Sequence, residues 1–200
     1  EYRHFNHNRV QSRFYGEKGK FSYQAALYFQ RQDYFKLDER IKGGDYQRFD
    51  VKSHRDDWGA IMHLRLEGRH NAFALGGEFK NGSTDGGAHY VTSTDEVLNK
   101  GSIRILSVFA QDELSLFNKK IWLQVALRYD NAYFHKGWFE ANGENVSDFN
   151  TYNGKLKNNR WEHLSPRVAL RYNPTRAISA YISYSQGFRA SILDDLCRSG

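Results

Sequence analysis

"SPRVALRYNPTRAISAYISYSQGFRAS", residues 165–191, decides how this chain is to be read. Apolar and polar residues alternate up to Tyr172, the alternation breaks at Asn173-Pro174-Thr175-Arg176, and then it resumes. Before the break Val168, Leu170 and Tyr172 oppose Arg167, Ala169 and Arg171. After it Ile178, Ala180, Ile182 and Tyr184 oppose Ser179, Tyr181, Ser183 and Ser185. A period of two is that of a strand with unlike faces, and Asn-Pro followed by polar residues marks a turn. The stretch therefore predicts a β-hairpin with one apolar face, and the question is what medium receives that face.

The same period recurs along the chain. It predicts about eight extended segments, near 5–15, 21–35, 50–66, 72–80, 103–116, 121–135, 161–172 and 177–188. Tight gaps at 16–20, 67–71, 118–120 and 173–176 alternate with long polar gaps at 36–49, 81–102 and 136–160. That order fits an antiparallel meander with short turns at one end and long loops at the other. Ile121, Leu123, Val125, Leu127 and Tyr129 share one side of their segment, and Trp58, Ala60, Met62, Leu64 and Leu66 do so in theirs. Segment 103–116 is less regular, because Asp112 falls among Leu106, Val108 and Ala110.

Composition excludes several classes. Aromatic residues make up 16% of the chain, against disorder, and no apolar run approaches the roughly 18 residues of a transmembrane helix. The single cysteine, Cys197, allows neither an internal disulfide nor a CxxC metal site. Net charge is +6, yet the Lys and Arg residues are scattered among acids without any nucleic-acid-binding motif, so no nucleic acid partner is expected. No P-loop, GxSxG, HExxH or GxGxxG occurs, so the chain is not expected to be an enzyme.

An apolar sheet face is covered either by a second sheet or by lipid around a closed barrel. Segments of 10–15 residues exceed the usual soluble strand of about 5–6 and meet the 9–11 that a tilted membrane strand needs. Tyr129, Tyr133, Phe134, Tyr172, Tyr181, Tyr184 and Phe188 gather near segment ends, as in the aromatic girdles of membrane barrels. The sequence thus predicts an all-β, antiparallel transmembrane β-barrel, with lipid on the apolar face and a polar interior on the other.

Particular runs also resemble a known family. "SPRVALRYNP", "ISAYISYSQGFRAS" and "LDDLCRSG", with "VFAQDELSL", "LQVALRYDN" and "ALGGEFKNG" before them, are similar to the barrel of TonB-dependent outer-membrane receptors. The resemblance covers about Trp58 to Gly200; residues 1–57 agree only in pattern. Ser191 departs from the proline that many members carry after Gly-Phe-Arg-Ala. The resemblance implies a barrel of about 22 strands, a plug domain in its lumen and a short energy-coupling segment ahead of the plug. It also implies outer-membrane lipid and lipopolysaccharide as surroundings, a small-molecule nutrient as ligand, and the TonB energy-coupling protein as a partner reached through the plug. On that comparison residues 1–200 are all barrel, some eight consecutive strands, with the plug and the remaining strands absent. Eight strands closing on themselves as a small barrel is the alternative.

Two sets of candidate residues follow. Glu78, Glu113, Arg128, Asp130, Arg167 and Arg171 fall mostly on the polar face. They form a charged wall that either holds a plug or conducts an anionic solute, or else a set of salt bridges lining water. For ligand capture the candidates are His89 and Tyr90 in one long gap, Trp138 and Tyr152 in another, and Arg189 after the last segment. Aromatic rings can stack on a planar ligand, and arginine can pair with an anionic one. No cofactor or metal site is expected. Three functions remain open: an energised receptor for an iron–siderophore, haem, cobalamin or a glycan; a passive porin or adhesin; and a soluble carbohydrate-binding sandwich. The first two place the protein in the outer membrane of a Gram-negative bacterium.

Overall fold

The computed structural model describes residues 2–144, 153–175, 177–191 and 193–197. Its strands are β1 (Tyr2–Lys18), β2 (Phe21–Lys42), β3 (Asp45–Glu67), β4 (Asn71–Tyr90), β5 (Glu96–Leu116), β6 (Ile121–Asn142), β7 (Gly154–Lys155), β8 (Asn159–Tyr172) and β9 (Ala180–Ser185). One short helix, α1 (Leu193–Leu196), follows. All strands lie in one antiparallel sheet of order β1-β2-β3-β4-β5-β6-β8-β9, with β7 as a small addition on β6. The sheet is open: among the described residues β1 and β9 are its two edges and do not meet. The small closed barrel is therefore not what these strands form. No helix among the described residues is long and apolar enough to cross a membrane, which says nothing about crossing by strands.

Each strand places its apolar residues on one face by simple alternation. The register aligns them across strands: Ala25 faces Met62, Met62 faces Gly77, Gly77 faces Val108, Val108 faces Tyr129, and Tyr129 faces Leu164. These side chains are left open, with Met62 51% and Leu127 46% exposed, while the buried polar residues Ser107, Gln124, Asp130 and Ser165 lie on the opposite face. Such inverted polarity is that of a membrane barrel wall. In β2 the apolar row runs Phe21, Tyr23, Ala25, Leu27, Phe29, and Arg31 and Asp33 follow on the same side. Nine residues of a strand tilted by about 40° give roughly 20–23 Å, near the height of a barrel's lipid band. Asp112 sits at the lower border of the band, where Asn71 Nδ2 donates to it at 3.3 Å.

The long polar gaps are the main departure from expectation. Residues 36–49 are not a loop: β2 and β3 stay paired up to a two-residue turn at Gly43-Gly44. Both glycines have positive φ, 63° and 99°, as a type I′ hairpin turn requires. Likewise β4 and β5 stay paired through most of 81–102, leaving only 91–95 as the connection. The reason is physical. Beyond the lipid band both faces of a hairpin are wet, so the sequence loses its period of two while the backbone keeps its ladder.

Two irregularities fix the face of particular side chains. Between Lys100 and Ser102 the register with β6 shifts from Trp138 to His135, so one extra residue of β6 is accommodated. Lys136 takes a φ of 56° at this bulge. The phase of β6 therefore flips. Phe134 lies on the polar face, and Phe139 rather than Trp138 shares that face.

The second irregularity is that β9 ends at Ser185, short of the expected 188. Gln186 still donates to the Pro166 carbonyl (3.0 Å), but the chain then turns over the polar face and Phe188 stacks on His163 at 5.5 Å. Leu193 and Cys197 pack on Ile103 and Phe134, with Trp161 and Leu156 beside them. Of the aromatics expected in girdles, Tyr129, Tyr133, Tyr172 and Tyr184 are on the apolar side, whereas Phe134, Tyr181 and Phe188 are on the polar side.

Val168 is the middle of the five apolar positions of β8. Val168→Arg should cost about 2–4 kcal/mol, and Ser183→Arg on the opposite face well under 1 kcal/mol. Urea-induced unfolding in vesicles checks this. Gly101 is the point on which the returning segment rests: a Cβ there would run into Cys197 Sγ and lie 2.8 Å from the Phe134 ring. Gly101→Val should make Cys197, buried in the native chain, reactive to a water-soluble maleimide.

Candidate functional site

The polar face carries one connected ion network. Glu78, Ser107, Asp130 and His163 occupy one rung across β4, β5, β6 and β8. Arg128 reaches over this rung. Its Nε donates to both oxygens of Asp130, at 2.9 and 3.1 Å, and its NH2 to Glu78 at 3.2 Å and to Ser107 Oγ at 2.9 Å. Ser107 donates to Asp130 at 2.5 Å, and Lys80 lies 2.6 Å from Glu78. Lower on the same face, Arg65 meets Glu113 at 3.3 Å and Gln111 donates to it at 2.8 Å. Every acidic member of the predicted wall is thus paired. Arg167 has no ion-pair partner among the described residues, and the Arg171 guanidinium lies 5.6 Å over the Trp122 ring. An aspartate 4% exposed and ringed by donors can bind nothing further, so this network braces the sheet.

Above the lipid band, the same face holds a different arrangement. Arg40 and Gln47 are paired across the Gly43-Gly44 hairpin, and Phe49 and Tyr90 are paired between β3 and β4. The Phe49 and Tyr90 rings stack at 5.0 Å. The Arg40 guanidinium lies 5.1 Å from the first ring and 5.9 Å from the second. Its Nε donates to Gln47 at 2.9 Å and its NH2 to the Tyr90 hydroxyl at 3.1 Å. Nearby, Lys36 hydrogen-bonds Asp38 and holds its carboxyl below the usual carboxylate range. The result is a ledge of two aromatic faces and a positioned guanidinium whose remaining N–H groups are open to a ligand.

The other capture candidates are dispersed. His89 and Tyr90 are neighbours on a strand and not in a loop, so they point to opposite faces: His89 lies exposed on the apolar side. The bulge puts Trp138 on that side too, where its indole N–H donates to Glu140 at 3.1 Å. Hydrogen bonds from Asn142 and then Trp138 hold the Glu140 carboxyl low. Arg189 is exposed on the segment that turns over the polar face, and Tyr152 lies outside the described residues. The fading of the period of two over 36–49 hides Arg40, Gln47 and Phe49 from a sequence reading. The Gly-Gly pair flanked by Lys42 and Asp45 was the signal that a hairpin continues there. Among the described residues no group of three or more His, Cys, Asp and Glu could hold a metal ion.

Just above the lipid band on the apolar side sits a polar collar. Arg31 meets Asp56 through two hydrogen bonds, at 2.8 and 3.0 Å. One rung higher, His54 lies 2.5 Å from Asp33 and 3.3 Å from Asp56. Asp33 first, and Asp56 after it, raise the His54 pKa above its ordinary value.

Two outcomes follow. Arg128→Ala leaves the Asp130 carboxylate without its charged partner and should destabilise the sheet by about 1–3 kcal/mol, measured by urea unfolding. For His54 the folded pKa is raised, so the stabilisation is fully present below the unfolded value and is lost as pH rises through the folded one. Amide-exchange protection of the hairpin spanning residues 31–56 should therefore fall as pH rises above the ordinary histidine range, and His54→Gln should remove that dependence.

Comparison with known proteins agrees with this geometry. The family described as TonB dependent receptor-like, beta-barrel matches residues 1–198. No curated protein sequence matches the chain. Among solved structures, the ferric yersiniabactin uptake receptor of Yersinia pestis superposes with a TM-score of 0.68 at 9% identity, over 87% of this chain and 26% of that one. A copper transporter, OprC, gives 0.71 at 11% identity, over 90% and 31%. The ferric-catecholate import receptor Fiu of E. coli K12 gives 0.61 at 10%, over 92% and 35%. At these identities the structures show a shared fold, and this chain spans about a quarter to a third of their length. With a family match over nearly its whole length and a sheet apolar outside and ion-paired inside, the chain belongs to the TonB-dependent receptor β-barrel family, a family of receptors and not of enzymes.

Proposed function

We propose that this chain is part of the barrel wall of a receptor in the outer membrane of a Gram-negative bacterium, one that takes up a scarce nutrient with energy from the TonB system. The remaining strands, a plug domain and the coupling segment belong to the whole receptor in this reading. The observation that carries it is the inverted polarity of the sheet, with exposed Met62, Leu127 and their neighbours on one face and the Arg128 network on the other. The family match supports it. Lipid and lipopolysaccharide then cover the apolar face, the collar at Arg31 and Asp56 lies at the headgroups, and the tight turns face the periplasm.

The ligand in this reading is an anionic, partly aromatic metal chelate of the ferric siderophore kind. The ledge of Arg40, Phe49 and Tyr90 is its first contact, because stacked rings and a fixed guanidinium suit a flat, negatively charged solute. Two of the related structures are receptors for ferric chelates by their descriptions. His89, Trp138 and Arg189, which lie apart from the ledge, act at most as outer contacts. In cells carrying the full receptor, Arg40→Ala combined with Tyr90→Ala should weaken binding of a radioiron-labelled siderophore about tenfold or more, with the barrel still inserted. Unchanged affinity of the double variant would remove the ledge from the function. Absence of any energy-dependent uptake by the unsubstituted receptor, across catecholate, hydroxamate and mixed siderophores, would remove the siderophore reading.

A further inference from the structure

Unpaired basic charge gathers at one end of the sheet. The tight turns at 16–20, 67–71, 117–120 and 173–176 carry Lys18, Lys20, Arg69, Lys119, Lys120 and Arg176 against two acids, Glu17 and Glu67. Near the other end the sheet cancels such cations itself: Arg31 at Asp56, Lys100 at Asp85 and Arg160 at Glu162. At the turns, Lys18, Lys20, Arg69, Lys119 and Lys120 are exposed, and among the described residues none has a carboxylate within ion-pair distance. The two acids face away from lipid. Glu17 is paired with Ser22 and Glu67 with Ala72, both on the polar face, where Arg65 meets Glu67 at 3.4 Å. Lys18, by contrast, is paired with Phe21 on the apolar side.

These charges do not sit on independent loops. The Glu67 N–H donates to the Lys20 carbonyl at 2.8 Å, Ser115 to His70 at 2.7 Å, and Asn173 to Lys120 at 2.7 Å. The Asn173 side chain also donates to the Lys119 carbonyl at 3.3 Å. Each turn is thus tied to the next, and the four form one rim. Adjacent turns are two strand spacings apart, about 10 Å, close to the Debye length of about 8 Å at physiological salt, so their charges partly add. In the β5–β6 turn, Phe117, Asn118 and Lys119 all take positive φ, 51°, 54° and 68°. That costly backbone holds a ring 72% exposed beside two ammonium groups, directly after Leu116 on the apolar face. An aromatic ring at the acyl boundary with lysines around it suits anionic headgroups lying over hydrocarbon. We propose that the turn end of this sheet is a binding rim for anionic phospholipid. Lys18, Lys20, Arg69, Lys119 and Lys120 pair with the headgroup phosphates, and Phe117 enters among the first acyl carbons. A soluble acidic partner fits less well, because the charges follow the border of the apolar face and form no compact patch. The proposal deepens the receptor reading and rests on its membrane placement, not on its ligand.

The test uses the full receptor carrying Phe117→Trp, with every other tryptophan changed to phenylalanine, in phosphatidylcholine vesicles. A fixed fraction of one phospholipid is brominated near the headgroup end of its acyl chains. Brominated phosphatidylglycerol should quench position 117 about two- to threefold more strongly than brominated phosphatidylcholine at the same fraction. Lys119→Gln together with Lys120→Gln should remove the preference. So should about 1 M salt, where the Debye length is about 3 Å. A second protein keeping only Trp58, beside the ion-paired Arg31 and Asp56, should respond equally to the two lipids. Equal quenching of position 117 by the two lipids overturns the proposal and leaves the membrane placement standing. A preference that survives the lysine changes, or one as large at Trp58, also overturns it. No quenching of position 117 by either lipid overturns it too, and if Trp58 is likewise unquenched the membrane placement falls with it.

Discussion

Everything in this chain follows from one constraint: a strand in hydrocarbon must have every backbone N–H and C=O paired, because no water is there to take them. Between its two open edges, β1 and β9, the sheet meets it with ladders of up to 22 residue pairs, as between β2 and β3, and without an internal gap. Once the backbone is paired, side chains alone decide which medium each face can tolerate. The apolar row ends at Phe29 and Trp58, and the charged pair Arg31 and Asp56 begins on the next rung. That step in polarity is the water boundary written into two adjacent strands.

On the other face the same constraint turns electrostatic. Side chains that leave lipid to their backs gather charges, and these charges are partly withdrawn from water, as the low exposure of Asp130 shows. Cancellation within the sheet then becomes the rule, and Arg128 serves two carboxylates and a hydroxyl at once. The braced wall that results is a frame, and in the receptor function proposed above ligand capture falls to the part of the hairpins beyond it. There the ladder continues without lipid, and it positions Arg40, Phe49 and Tyr90 with a regularity that a free loop would not give.

The legibility of the sequence tracks these environments. Between the turns and the girdle, lipid on one face and water on the other forced a period of two. Strand existence, register phase and the placement of Glu78, Arg128 and Asp130 on one face are therefore legible, whereas their pairing is not. Beyond Trp58 both faces are wet, the period fades, and hairpins looked like loops; the ledge was hidden for that reason. The bulge at Lys136 was also illegible, because a lysine in the left-handed region carries none of the signal of a glycine, and it moved Trp138 to the other face. The departure of the chain from the sheet after Ser185 depends on tertiary contacts of Phe188, Leu193 and Cys197 that no local pattern announces.

The four tryptophans allow the central claim, that one face meets lipid and the other does not, to be measured directly. Trp58 lies on the apolar face at the edge of the band, 47% exposed, while Trp122 lies on the polar face beside Arg171. In single-tryptophan variants of the full receptor, reconstituted in lipids brominated along the acyl chain, Trp58 fluorescence should be strongly quenched and Trp122 fluorescence left nearly unchanged. Equal quenching of the two would contradict the account, because it would mean that both faces of this sheet see the same medium.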